Sequence, residues 1–193
     1  MNQLIYSLLN HLKTAPQDPG LKTAENSRAL DPLDLRRAFS RFGTGVTVIT
    51  TRSPAGAPLG LTANSFNTVS LEPPIVLWSL SDKSPSLAAF RSAGRFVVNV
   101  LALDQLALSH RFARAAPDKF AGITYSDGLG GMPVLKGCIA TIECSIVKIQ
   151  EVGDHLLFLG QVESYAYEHA EPLLLCAGQY LQGVGVTASA AAS

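Results

Sequence analysis

The sequence predicts a mainly β protein, a small barrel with helices at its periphery, and three observations lead to that fold class. Of the 193 residues, 47% are hydrophobic and 16% are charged, which is typical of one globular domain with a large core. Runs rich in β-branched and aromatic residues recur along the chain. Only two helical segments interrupt these runs, so the strict alternation of a doubly wound parallel sheet is absent.

Six runs are predicted as strands, a minimum count, because turn residues bound each of them. They cover residues 44–51, 59–65, 75–81, 95–101, 138–150 and 155–165. The turn sequences SPAG at 53–56 and EVGD at 151–154 predict two hairpins. Neighbouring strands are therefore expected to pair antiparallel.

Three helices are expected within the domain. Asp31 followed by Pro32 predicts an N-capped amphipathic helix that ends before Gly43. The other two are predicted over residues 84–94 and 104–113. Each of these helices flanks a predicted strand, which places them around the barrel.

The chain ends are expected to lie outside the barrel. Near the N terminus, apolar residues at helical spacing predict a short helix, and the Pro-containing polar stretch 14–29 is typical of a linker. We therefore expect an N-terminal extension at 1–30, a domain at 31–184 and a flexible tail at 185–193.

Composition argues against several classes of function. Fifteen basic residues balance fifteen acidic ones without a long run of either sign, so nucleic acid is not expected as a partner. No apolar run approaches the roughly 20 residues of a membrane span, and no basic segment precedes the N-terminal apolar residues, so neither a span nor a secretory signal is expected. Three cysteines without metal or redox spacing favour a reducing, cytoplasmic location, and four scattered histidines suggest no metal site.

One polar segment is suited to an anion. Residues 82–86, DKSPS, are predicted to open the second helix, where free backbone amides attract negative charge. Lys83 adds an ammonium group, and Ser84 and Ser86 add hydroxyls. A phosphate would bind there, although an ordinary helix cap accounts for the same residues.

A second polar segment, TANS at 62–65, ends a predicted strand beside the small residue Ala63. Its donors and acceptors could hydrogen-bond a flat heterocycle, and a polar turn is the alternative. A flavin needs both kinds of support, donors and acceptors along the ring edge and charge at its ribityl phosphate. The two segments together are more specific than either alone.

His155 follows the second hairpin and is predicted to stand at the barrel rim, apart from the anion segment. The imidazole could position a nicotinamide, donate a proton or do neither, and Asp154 could be its partner or only a turn former. The sequence contains no dinucleotide-binding glycine motif after a strand, no P-loop and no G-x-S-x-G nucleophile motif. Redox chemistry supplied by a cofactor is the simplest interpretation.

Several motifs occur together in one order: FGTGVTV at 42–48, GLTANSF at 60–66, SLEPP at 70–74, FVVNVL at 96–101, FA at 112–113, KFAG at 119–122, GDHLLF at 153–158, PL at 172–173 and GQY at 178–180. In these motifs the chain resembles the flavin reductase family. The resemblance implies an FMN-binding split β-barrel of Greek-key type, usually a homodimer. It also implies an NAD(P)H:flavin oxidoreductase that supplies reduced FMN or FAD to a separate flavin-dependent monooxygenase.

Site residues carried over by motif form three groups. The resemblance implies that the isoalloxazine is lined by Thr62, Ala63, Asn64 and Ser65, that the ribityl phosphate side is held by Leu80, Ser81, Lys83, Ser84 and Ser86, and that His155 faces the nicotinamide. Asp82 departs from this pattern by adding a carboxylate, which is expected to point away. The alternatives are a split-barrel flavin-dependent oxidase of another substrate and a non-catalytic flavin-binding carrier or partner subunit.

Overall fold

The computed structural model describes residues 30–183. The predicted N-terminal helix, the linker 14–29 and the tail 185–193 lie outside the described residues. The strands are β1 (Thr44–Gly45), β2 (Thr47–Arg52), β3 (Pro58–Ala63), β4 (Asn67–Leu71), β5 (Pro74–Ser81), β6 (Arg95–Val100), β7 (Tyr125–Asp127), β8 (Pro133–Leu135), β9 (Ala140–Val152), β10 (His155–Tyr167), β11 (Leu173–Cys176) and β12 (Gln179–Gln182). The helices are α1 (Pro32–Phe39), α2 (Leu87–Ser92) and α3 (Leu106–Ala113), with 3-10 turns at Leu103–Gln105 and Leu129–Gly131.

A seven-stranded antiparallel sheet forms the barrel, in the order β3-β2-β6-β9-β10-β5-β4. Its two edge strands, β3 and β4, follow each other in the chain and are joined only by residues 64–66. They therefore lie near each other, yet they share no ladder of hydrogen bonds. The barrel is open along this line, which confirms the predicted split-barrel fold. Beside it lie the three-stranded sheet β1-β11-β12 and the hairpin β7-β8.

All six predicted strands are present, and the first is divided. The amide of Val46 donates to the Leu173 carbonyl at 3.1 Å, and the Val46 carbonyl accepts from the Leu101 amide at 2.9 Å. Before Val46 the chain pairs with β11, and after it β2 pairs with β3 and β6. Strands β4, β7, β8, β11 and β12 went unpredicted, because runs of three to five residues carry little periodicity.

The predicted start of the second helix was wrong. Helix α2 begins at Leu87, has Ser86 at its N-cap without a side-chain cap bond, and contains six residues. Before it the chain makes turns, with the Ser84 amide donating to the Ser81 carbonyl at 3.0 Å. The Ser84 hydroxyl accepts from the Ser86 amide at 3.3 Å, a local bond that competes with helix capping.

An aromatic cluster fills the barrel. Trp78 of β5 stacks on Phe158 of β10, with ring centroids 4.6 Å apart, and meets the edges of Phe90 and Phe96 at 4.9 and 5.8 Å. A side chain at Gly160 would reach within 2.4 Å of the Phe96 ring, so glycine is what lets β10 approach this cluster. A second cluster lies beneath α3 and the small sheet, and it includes Val48, Leu101, Phe112, Leu135 and Leu173.

A buried amide fastens the hairpin β7-β8 to the barrel. Asn99 of β6 donates to the Val48 carbonyl at 2.9 Å and to the Thr50 hydroxyl at 3.0 Å, and it accepts from the Leu135 amide at 2.8 Å. The Thr50 hydroxyl in turn donates to the Pro133 carbonyl at 2.5 Å. Each polar group of this inner network therefore has a partner.

Two cysteines are core residues, as predicted, and the third is half-buried. Burial raises the pKa of the Cys138 and Cys144 thiols to about 12, so both stay protonated at neutral pH. Cys176 ends β11 and lies beside the Arg41 carbonyl. No helix within residues 30–183 is long and apolar enough to cross a bilayer.

Candidate functional site

The two predicted flavin segments meet at the opening of the barrel. The Ser65 hydroxyl donates to the Ser79 carbonyl at 3.1 Å and accepts from the Ser79 amide at 3.0 Å. These two hydrogen bonds join the segment after β3 to the last residues of β5. Two residues further on, Ser81 lies opposite His155 in the β5-β10 register. One end of β5 therefore brings together all three predicted groups of site residues.

Within the segment 62–65, two side chains are buried and two are half-buried. Thr62 and Ala63 are buried, and the Thr62 hydroxyl donates to the Ser109 carbonyl of α3 at 2.7 Å. The Ser65 hydroxyl is occupied by Ser79. Asn64 is half-buried. A ring bound here would therefore meet the backbone of this segment and the amide of Asn64.

The segment 80–86 divides in the same way. Leu80 is fully buried in the aromatic cluster, so only its backbone can reach a ligand. The Ser81 hydroxyl accepts from the Lys83 amide at 3.3 Å, which folds the turn back on the strand. Lys83 itself is exposed and forms no ion pair with a described carboxylate. Its ammonium group is the cation available to an anion at this turn.

Asp82 is exposed, and the Ser81 hydroxyl donates to its Oδ1 at 3.5 Å; its expected direction away from a phosphate stays a prediction. The predicted anion segment precedes α2 and does not open it, because the helix begins at Leu87. The chemistry suited to a phosphate resides instead in Lys83 and in the hydroxyls of Ser84 and Ser86, within the turn.

His155 is half-buried and firmly held. Its Nδ1 lies 2.6 Å from Asp154 Oδ1, while its Nε2 is buried and has no hydrogen-bond partner among the described residues. The pKa of the Asp154 carboxyl is lowered first by the hydrogen bond from His155, then by the charge of His155 and, more weakly, by that of Lys83. Of the two earlier alternatives for Asp154, the geometry selects the histidine partner.

The expected separation of His155 from the anion segment was wrong. His155 begins β10 and faces the last residue of β5, and the Asp82 amide donates to the Asp154 carbonyl at 3.1 Å. The reason is geometric: antiparallel pairing sets the end of one strand against the start of its neighbour. The imidazole and Lys83 thus flank the same corner.

Tertiary contacts brace the end of β3, and sequence reasoning missed them. The Tyr180 hydroxyl of β12 lies 2.8 Å from the Ser109 hydroxyl, and Ser109 also accepts from Thr62. Burial raises the pKa of Tyr180. Tyr180 and Ser109 are 71 positions apart, so no local pattern could have indicated this contact.

A half-buried lysine supports the same strand. Lys119 Nζ donates to the Phe112 carbonyl at 3.0 Å and to the Gly60 carbonyl at 3.2 Å. Burial lowers the pKa of Lys119. The lysine joins the end of α3 to β3, and the KFAG motif at 119–122 is the only sequence signal that marked it.

The donor set at this corner fits a flavin and a nicotinamide. It offers backbone and amide groups for a ring edge, and an ammonium with two hydroxyls for a phosphate. It also offers a buried ring nitrogen that has no hydrogen-bond partner within residues 30–183. Within residues 30–183, no group of three or more His, Cys, Asp or Glu side chains could hold a metal ion.

Residues 39–183 match the family model described as "Flavin reductase like domain". The chain belongs to this family. Relatives in the flavin reductase family include the reductase subunit HsaB of a flavin-dependent monooxygenase from Rhodococcus jostii, 43% identical over 155 residues that cover 80% of this chain and 79% of HsaB. A probable flavin reductase from Rhizobium meliloti is 40% identical over 84% of this chain, which spans only 54% of that longer relative.

Solved flavin reductases share the architecture as well as the sequence. The NADH:FAD oxidoreductase SgcE6 of Streptomyces globisporus, solved with NAD and FAD fragments, is 34% identical, with a TM-score of 0.75 over 82% of this chain and 98% of SgcE6. A further relative, matched by sequence, is the FMN reductase (NADH) SmoA of Agrobacterium fabrum, 39% identical over 81% of this chain and 86% of SmoA.

Proposed function

We propose that this protein is an NAD(P)H:flavin oxidoreductase that transfers a hydride from a reduced nicotinamide to FMN or FAD. The observation that carries the proposal is the corner at the end of β5, where the exposed Lys83 lies two residues after Ser81 and Ser81 lies opposite His155. The buried Nε2 of His155 has no hydrogen-bond partner among the described residues. The family match over residues 39–183 supports it, as do relatives named NADH-dependent reductases of FMN and FAD.

Each group of site residues has one role in this proposal. The backbone of Ala63 and the amide of Asn64 hold the ring edge, and Lys83 with Ser84 and Ser86 holds the phosphate. The flavin, when bound, supplies the atom that accepts the hydride. His155 orients the nicotinamide, so the protein contributes proximity and a preorganised polar edge.

The destination of the reduced flavin forms part of the proposal. Relatives are named as reductase subunits of flavin-dependent monooxygenases, so we assign this protein a separate monooxygenase partner. A cytoplasmic location is consistent with three thiols that form no disulfide. The domain limits 31–184 are supported by the family match, which ends at residue 183.

A homodimer is also proposed, supported by apolar surface near one strand edge. Leu71 is 93% exposed, and Tyr165 and Tyr167 are 70% and 69% exposed. Beyond Gln161, β10 pairs only with β9 among the described strands, which leaves an edge open to a second copy. Light scattering is expected to give twice the chain mass, and Leu71→Glu is expected to lower it. A monomeric wild-type protein would remove this part of the proposal.

The deciding assay combines NADH or NADPH with riboflavin, FMN or FAD and follows nicotinamide oxidation. Turnover is expected with at least one pair, and His155→Ala is expected to lower kcat/KM for the nicotinamide about tenfold, the loss of one hydrogen bond. Flavin binding without turnover would favour the carrier alternative. Turnover that requires a third substrate would favour the oxidase.

A further inference from the structure

The bond between Asp154 and His155 determines which ring nitrogen carries the proton. Asp154 Oδ1 lies 2.6 Å from His155 Nδ1, and an ionised carboxylate can only accept a hydrogen bond. Nδ1 must therefore be the donor. In the neutral imidazole, Nε2 then holds a lone pair and can only accept.

Of the two ring nitrogens, the one without a described partner is Nε2. Nε2 is buried without a hydrogen-bond partner among the described residues, and a buried polar atom in that state costs free energy until a ligand or water pairs with it. Asp154, in contrast, is 77% exposed. The ring thus keeps its acceptor nitrogen on its buried side and its donor nitrogen against the carboxylate.

The surroundings offer no second group that could set the tautomer. His155 lies between Ser81 of β5 and Val152 of β9 in the sheet register. The charged groups of the adjoining segments are Asp82 and Lys83 in the turn after β5, and Glu151 of β9. Glu151 is already paired with Arg91. Among the described side chains, Asp154 alone contacts the imidazole through a hydrogen bond.

We propose that Asp154 is a positioning residue that holds His155 in the Nδ1-protonated tautomer, so that Nε2 accepts a hydrogen bond from an N–H donor of the ligand. The carboxamide NH₂ of nicotinamide has the required chemistry. This inference rests on the proposed function for its ligand, but the tautomer is a property of the free protein. Asp154→Glu keeps an acceptor-only carboxylate for Nδ1, whereas Asp154→Ala removes the acceptor.

The tautomer is tested first, without ligand, by ¹H–¹⁵N NMR of the imidazoles at about pH 8, where an ordinary histidine is neutral. A His155→Asn spectrum assigns the signals. The wild-type protein and Asp154→Glu are expected to show the Nδ1–H form of His155, and Asp154→Ala a mixture with the Nε2–H form. An Nε2–H form in the wild-type protein would overturn the proposal whatever the enzyme activity.

Kinetics with matched variants test the ligand. For Asp154→Ala, the KM for NADH is expected to rise about tenfold, the loss of one hydrogen bond, while the KM for flavin stays within about twofold. Asp154→Glu, which retains the carboxylate, is expected to remain close to the wild type. Glu151→Gln, on the same hairpin, controls for loss of an acidic residue and should change neither KM. Equal damage in the Glu and Ala variants, or an unchanged KM in Asp154→Ala, would overturn the proposal.

An analogue identifies the donor. The 3-acetylpyridine analogue of NAD⁺ lacks the carboxamide NH₂, so the wild-type protein is expected to bind NAD⁺ more tightly than the analogue in competitive inhibition. In Asp154→Ala that preference is expected to fall towards one, and in Asp154→Glu to persist. Equal binding of both compounds by the wild-type protein would remove the carboxamide contact while leaving the tautomer result to stand on NMR.

Discussion

Strands β5 and β10 pair over seven residues, and the middle and the end of this pairing are built from opposite kinds of side chain. In the middle, Trp78 faces Phe158, and both are fully buried. At the end, Ser81 faces His155, near the exposed Lys83, and the buried Nε2 of His155 has no partner in the described part of the chain. The close packing of the middle stabilises the two strands and makes them rigid. Because the polar end is only three residues away, the same strands hold its binding groups in fixed positions. Substitutions in the two regions should therefore change different measurements.

The largest effect is expected in the aromatic middle. Trp78→Ala removes a side chain that contacts three buried rings, and it should lower the free energy of unfolding by about 3–5 kcal/mol. Urea denaturation measures the loss. Trp78→Phe retains an aromatic ring against Phe158 and serves as the control with a smaller cost. Near wild-type stability of the alanine variant would break the distinction between the two regions.

The next effect comes from the glycine that lets β10 approach the core. A methyl group at Gly160 would lie 2.4 Å from the Phe96 ring and 2.9 Å from Cys144 Cβ, so Gly160→Ala should cost about 1–3 kcal/mol through overpacking. Gly45→Ala is the matched control, because nothing lies within 4 Å of a side chain there. Equal melting temperatures of the two variants would show that β10 shifts freely.

At the polar end, the expected loss is in binding. Lys83→Ala combined with Ser84→Ala should weaken FMN about tenfold, because the charge-assisted bonds to its phosphate are lost. Riboflavin, which lacks the phosphate, should bind as before, and urea denaturation should show little change. Lys148→Ala removes an exposed lysine of β9 as a control. Fluorescence titration with both flavins provides the measurement, and identical losses would exclude the phosphate role.

The smallest effect is expected where the polar end meets solvent. Arg91 of α2 pairs with Glu151 of β9, but their side chains are 47% and 75% exposed. Arg91→Ala should therefore change the free energy of unfolding by about 0.2–1 kcal/mol, and less at high salt. Denaturation at two salt concentrations checks this. A loss as large as that of Gly160→Ala would mean that this exposed ion pair stabilises the fold as much as core packing does.

Much of the fold was readable in the sequence, because long β-branched runs and hairpin turns are local signals. The two long strands that flank the turn at 151–154 were predicted to within a few residues. The short strands β7 and β8 were missed because they depend on Asn99 and Thr50, far away in the chain, for their attachment. The start of α2 was misplaced because Ser84 uses its hydroxyl in a turn instead of a helix cap.

The sequence by itself determined the class of the protein, the identity of its polar segments and the family to which it belongs, since these depend on residue types in order along the chain. Only the tertiary structure decided which of those residues face the opening. In the folded protein Thr62 and Leu80 are buried, the Ser65 hydroxyl is hydrogen-bonded to Ser79, and His155 lies opposite Ser81. The physical reason is that antiparallel register and side-chain packing join residues many positions apart, and no local pattern specifies which partners they will find.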